Sequence, residues 1–188
     1  AAIHLKCENL QRTGAFKIRG ALNRLRALTS NEIARGVITA SAGNHAQGLA
    51  LGARIVGARA IVVMPKTTPL LKIENTERLG GKVELVGETY GESADYAHAR
   101  AEREGLVYVP AFDDAHVIAG QGTIGLEILE QVPDVEAVLV PVGGGGLISG
   151  VATAIKALRP EVQIFGIQTE AAPAMATSFA AGVRQEVE

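Results

Sequence analysis

Short, continuous apolar runs set between helical patterns constrain the fold of this chain more than any other feature. Ala60-Ile-Val-Val-Met64 and Ala137-Val-Leu-Val-Pro-Val142 carry no polar side chain from end to end. Runs of this kind, without alternation, predict strands buried on both faces, the usual condition in a parallel sheet. Residues 36–40, 83–86, 106–109 and 162–167 read as further strands. The segments between them are helical. Ile18, Ala21, Leu22, Leu25 and Leu28 share one face, with Arg19, Asn23 and Arg26 mostly opposite. Helices are predicted over 44–55, from Thr68-Pro69 to Gly80-Gly81, over 90–104, over 121–131, from Leu147 to Leu158, and over 171–181. Pro69 suits a first turn because its missing donor is not needed there. This alternation implies an α/β fold of parallel sheets joined by right-handed crossovers. A soft boundary is expected near residues 110–115, because a set of βα units lies on either side.

Composition narrows the function classes. An α/β chain of 188 residues buries roughly 70% of its unfolded surface, enough for a sizeable core. The net charge is −2 and no basic run is interleaved with aromatics, so nucleic acid is not an expected partner. No apolar run reaches the roughly 18 residues of a membrane helix, and no signal peptide opens the chain. The single Cys7 excludes an internal disulfide framework and suits a reducing, cytoplasmic setting. Cys7 lies in an apolar, strand-like stretch and is expected to be a small buried hydrophobe.

Three segments carry chemistry. Lys17 sits at a helix start in Thr13-Gly-Ala-Phe-Lys-Ile-Arg-Gly20. A lysine there is ordinarily a solvated charge. The positive end of the helix disfavours a further cation, however, and a lysine more easily made neutral suits Schiff-base chemistry. Phe16 is either a core residue or a surface against which a flat ring packs. Gly143-Gly-Gly-Gly-Leu147 joins a strand to a helix, where free amides and the dipole favour an anion. It has neither the dinucleotide spacing nor a Walker-type Gly-Lys-Ser, which favours a single phosphate over a dinucleotide, though a tight βα turn would read the same. Ser41-Ala-Gly-Asn-His45 is a polar turn before a helix. The amides of Gly43, Asn44 and His45, with the Ser41 hydroxyl, could cradle a carboxylate, and the Asn44 side chain could meet a phenolic oxygen. Equally, the turn could be a helix cap with His45 facing solvent. His45 has no partner at metal-ligand spacing. Lysine, phosphate loop and polar turn together point to pyridoxal 5′-phosphate (PLP), held by Lys17.

Five segments carry a resemblance: Lys6-Cys-Glu-Asn-Leu-Gln-Arg-Thr-Gly-Ala-Phe-Lys-Ile-Arg-Gly-Ala21, Ser41-Ala-Gly-Asn-His-Ala-Gln-Gly48, Val63-Met-Pro65, Val117-Ile-Ala-Gly-Gln-Gly-Thr-Ile-Gly-Leu-Glu127 and Pro141-Val-Gly-Gly-Gly-Gly-Leu-Ile-Ser-Gly150. The chain resembles the fold-type II, tryptophan synthase β-like PLP enzymes. Within them it resembles the threonine dehydratase (threonine ammonia-lyase) and serine racemase group. The resemblance covers nearly the whole chain. It implies two parallel-sheet domains, with 1–35 and 114–188 in the larger and 36–113 in the smaller. It implies that Lys17 holds PLP and acts as the catalytic base, that Phe16 packs beside the ring, and that Asn44 bonds the ring hydroxyl. Gly143, Gly144, Gly145, Gly146 and Leu147 would bind the phosphate, and Ser41, Ala42, Gly43, Asn44 and His45 the substrate carboxylate. The implied activity is dehydration and deamination of L-threonine or L-serine in a cytoplasmic dimer or tetramer.

Serine racemases of this group carry a second serine at the position of Ala42, and its hydroxyl protonates the far face of Cα. Ala42 has no such proton, which favours elimination over racemisation. In racemase-like members a carboxylate after the glycine loop binds a cation. The matching positions here are Gln168 and Ala174, with Glu170 out of register, so no metal site is assigned. Family catalytic domains also extend beyond both ends of this chain. The resemblance therefore implies a partial domain lacking the segment that supplies a Ser or Cys to the pyridine nitrogen, and a PLP-binding fragment without turnover, or a serine racemase, is the alternative reading.

Overall fold

A computed structural model describes residues 2–185 of the chain. They divide into two compact units, one up to Gly120 and one from Gln121 onward. In the first unit, β1 (Val37–Ala40), β2 (Ala60–Met64), β3 (Gly81–Leu85) and β4 (Val107–Tyr108) form a parallel sheet in the order β3-β2-β1-β4. The helices are α1 (Lys17–Arg26), α2 (Ser30–Arg35), α3 (Asn44–Val56), α4 (Leu70–Arg78) and α5 (Tyr90–Glu104).

β1 and β2 are buried at every position, as their apolar runs predict. Alternate residues reach opposite layers. Val37, Ala60, Val62 and Met64 pack with α3 residues Ala46, Leu49 and Ala53, whereas Ile38, Ala40, Ile61 and Val63 pack with Ala97 and Ala101 of α5. The sheet is thus sandwiched between helical layers. The strand order reverses beside β1, since β2 lies on one side of it and β4 on the other. Chains leaving β1 and β4 therefore diverge and open a crevice beyond their C-terminal ends.

α1 crosses α3 at unusually close range, and two glycines permit it. A Cβ on Gly48 would lie 3.1 Å from the Lys17 carbonyl carbon, and one on Gly52 would lie 2.8 Å from Leu25 Cδ1. Gly48 in the second turn of α3 is therefore what lets the helix carrying Lys17 approach the helix that begins at Asn44.

Several boundaries depart from the sequence reading. α2 is an additional helix, started by a reciprocal cap between Thr29 and Glu32. β3 begins at Gly81 rather than at Val83; a Cβ there would lie 3.0 Å from Ala50 Cβ, so a larger residue would crowd α3. Residues 2–7 form no strand, and no sheet face covers Cys7, which is exposed rather than buried. α6 runs Ala115–Gln131, starting earlier than predicted because Asp114 Oδ1 accepts from the amides of His116 and Val117 at 2.8 and 2.9 Å.

In the second unit, β5 (Ala137–Pro141) pairs in parallel with β6 (Gln163–Ile167), and α7 (Gly146–Leu158) and α8 (Ala174–Ala181) complete it. Val140, Val151, Ile155 and Val162 are buried. The run at 137–142, expected to be covered on both faces, is not. Leu139 and Phe165 sit side by side in the pairing and are 65% and 48% exposed, with Ile167 51% exposed beside them. An apolar run records that a strand avoids water in its full context; it does not name the element that covers each face.

Two substitutions test this packing. Ile61→Ala in the central strand should cost about 2–5 kcal/mol in chemical denaturation, from lost burial plus a cavity. Gly48→Ala should cost about 1–3 kcal/mol by overpacking, because its neighbour is rigid backbone rather than a flexible tip.

Candidate active site

Lys17 is the first residue of α1, and Phe16 before it is already helical at φ −61° and ψ −18°. The Lys17 Nζ donates to the Ala111 carbonyl at 2.7 Å and lies 5.3 Å from the Phe16 ring centre. Ala111 belongs to the segment that leaves β4, so the lysine is held at the crevice made by the strand reversal. Burial pushes the Lys17 amine below its usual pKa, since an ammonium stripped of water is less stable than the neutral amine. A nucleophilic or proton-accepting lysine needs that direction of shift.

Ser41 follows β1, and its amide still bonds to Val63 O at 3.0 Å. Its hydroxyl accepts from the Gly43 amide at 3.3 Å, which shapes the turn. Gly43 is the N-cap of α3, and among the described residues no side chain caps that helix. A Cβ on Gly43 would meet nothing within 4 Å, so the turn faces open space. Asn44 is exposed and Ala42 half-buried against Ala46, Val62 and Met64. The Asn44 and His45 amides therefore stand at an uncapped, positively polarised helix end, suited to a carboxylate.

His45 does not face solvent. Its ring is 3% exposed, and Nε2 lies 3.0 Å from the Val109 carbonyl. A carbonyl can only accept, so Nε2 carries the proton and Nδ1 is the bare nitrogen. Nδ1 is buried and has no hydrogen-bond partner among the described residues. Burial, with a smaller push from the Lys17 charge, lowers the imidazole pKa to about 4. The ring is neutral at physiological pH.

The glycine loop lies in the second unit. Gly143 and Gly144 are exposed, Gly145 is half-buried, Gly146 is the buried first residue of α7, and Leu147 is half-buried. Gly145 is the N-cap at φ +85°, the left-handed region that favours glycine, while the Met175 Cε that a Cβ would meet at 2.9 Å is a flexible tip that could move aside. Among the described residues no side chain caps α7, and the Ser149 amide is the one that bonds back to Gly145 O, at 2.9 Å. The amides of Gly146, Leu147 and Ile148 are thereby presented to an anion. A Cβ on Gly143 would meet nothing within 4 Å, which leaves room for one.

Taken unit by unit, the groups suit PLP chemistry: in the first, a desolvated lysine of the kind an aldehyde takes, and in the second, a glycine-rich helix start of the kind a phosphate takes. Within the first unit, Phe16, Lys17 and Ser41–His45 are brought together at adjoining helix starts, through the close approach at Gly48. The segment 109–111 was not found from the sequence. It acts through backbone carbonyls, which leave no side-chain signature. At the position matched to a cation ligand, Gln168 Oε1 accepts from the Ala176 amide at 2.8 Å. No cluster of three or more His, Cys, Asp or Glu among the described residues could hold a metal ion.

The pH dependence of folding follows from His45. Its folded pKa of about 4 lies below the ordinary 6.5, so as pH falls the unfolded chain takes up the proton first. The stability is intact above pH 6.5 and declines toward pH 4. Urea unfolding should show a loss of about 2 kcal/mol from this group between pH 7 and pH 5. His45→Gln, which cannot titrate, should lose that much less over the same interval.

A family model described as pyridoxal-phosphate dependent enzyme matches residues 1–188. L-threonine ammonia-lyase of Thermotoga maritima is 56% identical over 186 residues, covering 99% of this chain and 46% of that protein. The catabolic L-threonine dehydratase TdcB of Escherichia coli (strain K12) is 48% identical over 180 residues, covering 96% of this chain and 55% of that protein. The processed form of threonine deaminase isoform 2 from Solanum lycopersicum matches with a TM-score of 0.94 at 49% identity, over 95% of this chain and 49% of that one. Maize serine racemase matches with a TM-score of 0.94 at 40% identity, over 97% of this chain and 55% of that one. The chain spans about half the length of the curated relatives it matches. The half-buried lysine at a helix start, the glycine-led helix starts at Asn44 and Gly146 and this likeness along the whole chain agree, and the protein belongs to the pyridoxal-phosphate dependent enzymes of fold-type II.

Proposed function

We propose that this chain carries the lysine half of a PLP-dependent lyase that dehydrates and deaminates L-threonine, L-serine or both to a 2-oxo acid and ammonia. The observation that carries this reading is the Lys17 amine, desolvated and held 2.7 Å from Ala111 O beside the open helix start at Asn44. Identity of 56% to a protein named L-threonine ammonia-lyase supports the choice of substrate class. Lys17, Phe16, Asn44 and the loop Gly143–Leu147 would hold the cofactor. PLP, when bound, supplies an electron sink for charge developing at the substrate Cα. Lys17 Nζ takes the Cα proton. The amides of Gly43, Asn44 and His45, with Ser41, fix the carboxylate so that the Cα–H bond points at that amine. Ala42 borders the turn with a methyl group and offers no proton to the opposite face. That favours elimination over the racemisation named for the maize relative, which matches equally well in fold.

Residues 1–35 and 114–188 are assigned to the larger domain of such an enzyme and 36–113 to the smaller one. A cytoplasmic location and a dimeric or tetrameric assembly belong to the same proposal. No helix among the described residues is long and apolar enough to cross a membrane. The exposed apolar strip along Leu139, Phe165 and Ile167 supports association.

The test is an absorbance spectrum of the protein with PLP, followed by L-threonine and a 2-oxobutanoate assay. A near-visible band that shifts with threonine and yields oxo acid is expected. Lys17→Ala should abolish the band and lower product formation by at least about a thousandfold, a loss of about 4 kcal/mol. Product formed by Lys17→Ala at the unaltered rate would refute the assignment. A band that forms without oxo acid would favour cofactor binding without turnover.

A further inference from the structure

Three contacts in the first unit close on one another. α1 meets α3 at Gly48, where a Cβ would lie 3.2 Å from Lys17 O. α1 meets the exit of β4 through Lys17 Nζ and Ala111 O at 2.7 Å. α3 meets the same exit through His45 Nε2 and Val109 O at 3.0 Å. The exit segment is itself fixed, because Val109 is fully buried and its amide donates to Ile38 O of β1 at 2.9 Å. Two helix starts and one strand exit thus form a frame with a bond or a backbone contact on each side.

We propose that His45 is a positioning residue, its imidazole tying the first turn of α3 to Val109 so that the carboxylate-binding amides keep a set spacing from Lys17. This rests on the lyase reading above and extends it to a side chain that touches no reacting atom. A helix start needs no buried histidine: an alanine or leucine would fill the space without leaving Nδ1 unpartnered. The ring occupies the site because its Nε2–H reaches a carbonyl of the strand exit from the first turn of α3. Its shift to the neutral form keeps a second cation away from Lys17.

The experiment has one arm without cofactor and one with it. In the PLP-free protein, side-chain nitrogen NMR should show His45 as a single Nε2–H tautomer at pH 7. An Nδ1–H tautomer, or a mixture, overturns the proposal irrespective of how PLP behaves. With PLP, the shift of the absorbance band is titrated with glycine, which carries a carboxylate, and with methylamine, which does not. His45→Leu should weaken the glycine response about tenfold while moving methylamine less than about twofold, and His45→Gln, which restores an N–H donor, should recover glycine to within about threefold. Equal loss for both amines, no loss for either, or no recovery with glutamine overturns the proposal. Absence of any PLP band in the unaltered protein would instead refute the lyase reading, and the NMR arm would still decide the role of the imidazole.

Discussion

The reversal of strand order at β1 is the constraint on which the rest of the first unit depends. With β2 on one side of β1 and β4 on the other, the connections leaving β1 and β4 run apart. The chain then has two backbone exits facing a common gap, and Lys17 and the turn Ser41–His45 lie along it. Ser41–His45 follows β1 and 109–111 follows β4. α1 joins them because Gly48 lets it lie against α3. Had β4 paired beside β3, the Val109 and Ala111 carbonyls would stand at the far edge of the sheet, out of reach of both His45 and Lys17.

Within each unit, the electrostatics of the candidate binding groups are built from backbone more than from side chains. α3 and α7 both begin without a capping side chain among the described residues. Thr29 with Glu32 and Thr89 with Glu92 close reciprocal caps on α2 and α5, whereas among those residues α1, α4 and α8 also begin without a side-chain cap. What sets α3 and α7 apart is the glycine before each start, Gly43 and Gly145, which leaves the first amides without a side chain over them. Lys17 is the complement, a cation made less stable by burial where its neutral form is useful.

Much of this was legible in the sequence, for definite reasons. The run 60–64 is a strand with the expected bounds because β2 is central and covered on both faces. Tyr90–Glu104 is a helix with the expected bounds because a threonine cap and Gly105 at φ +67° mark its ends. The Lys17, Asn44 and glycine-loop motifs identify the family because each pairs a rare residue choice with a helix start. What was missed has physical causes. Cys7 is exposed, not buried, because Lys6 and Glu8 flank it and residues 2–7 form no strand. The Thr29–Glu32 box was present and unread, since α2 is only six residues long and carries no buried residue. The sequence leaves a solvent-facing His45 open beside the carboxylate reading, because nothing local reveals a carbonyl that arrives from 64 residues away.

The glycine loop is mounted on the less well covered of the two units. A parallel pair of strands with Leu139, Phe165 and Ile167 open to water has little burial to spare. Any anion bound at Gly143–Leu147 would add to the folding free energy of that unit in proportion to the logarithm of its concentration over its dissociation constant. A cofactor seated there would then be a folding ligand as well as a reagent. Cellular supply of the phosphate ester would set how much of the chain is whole, as well as how much of it is charged for reaction.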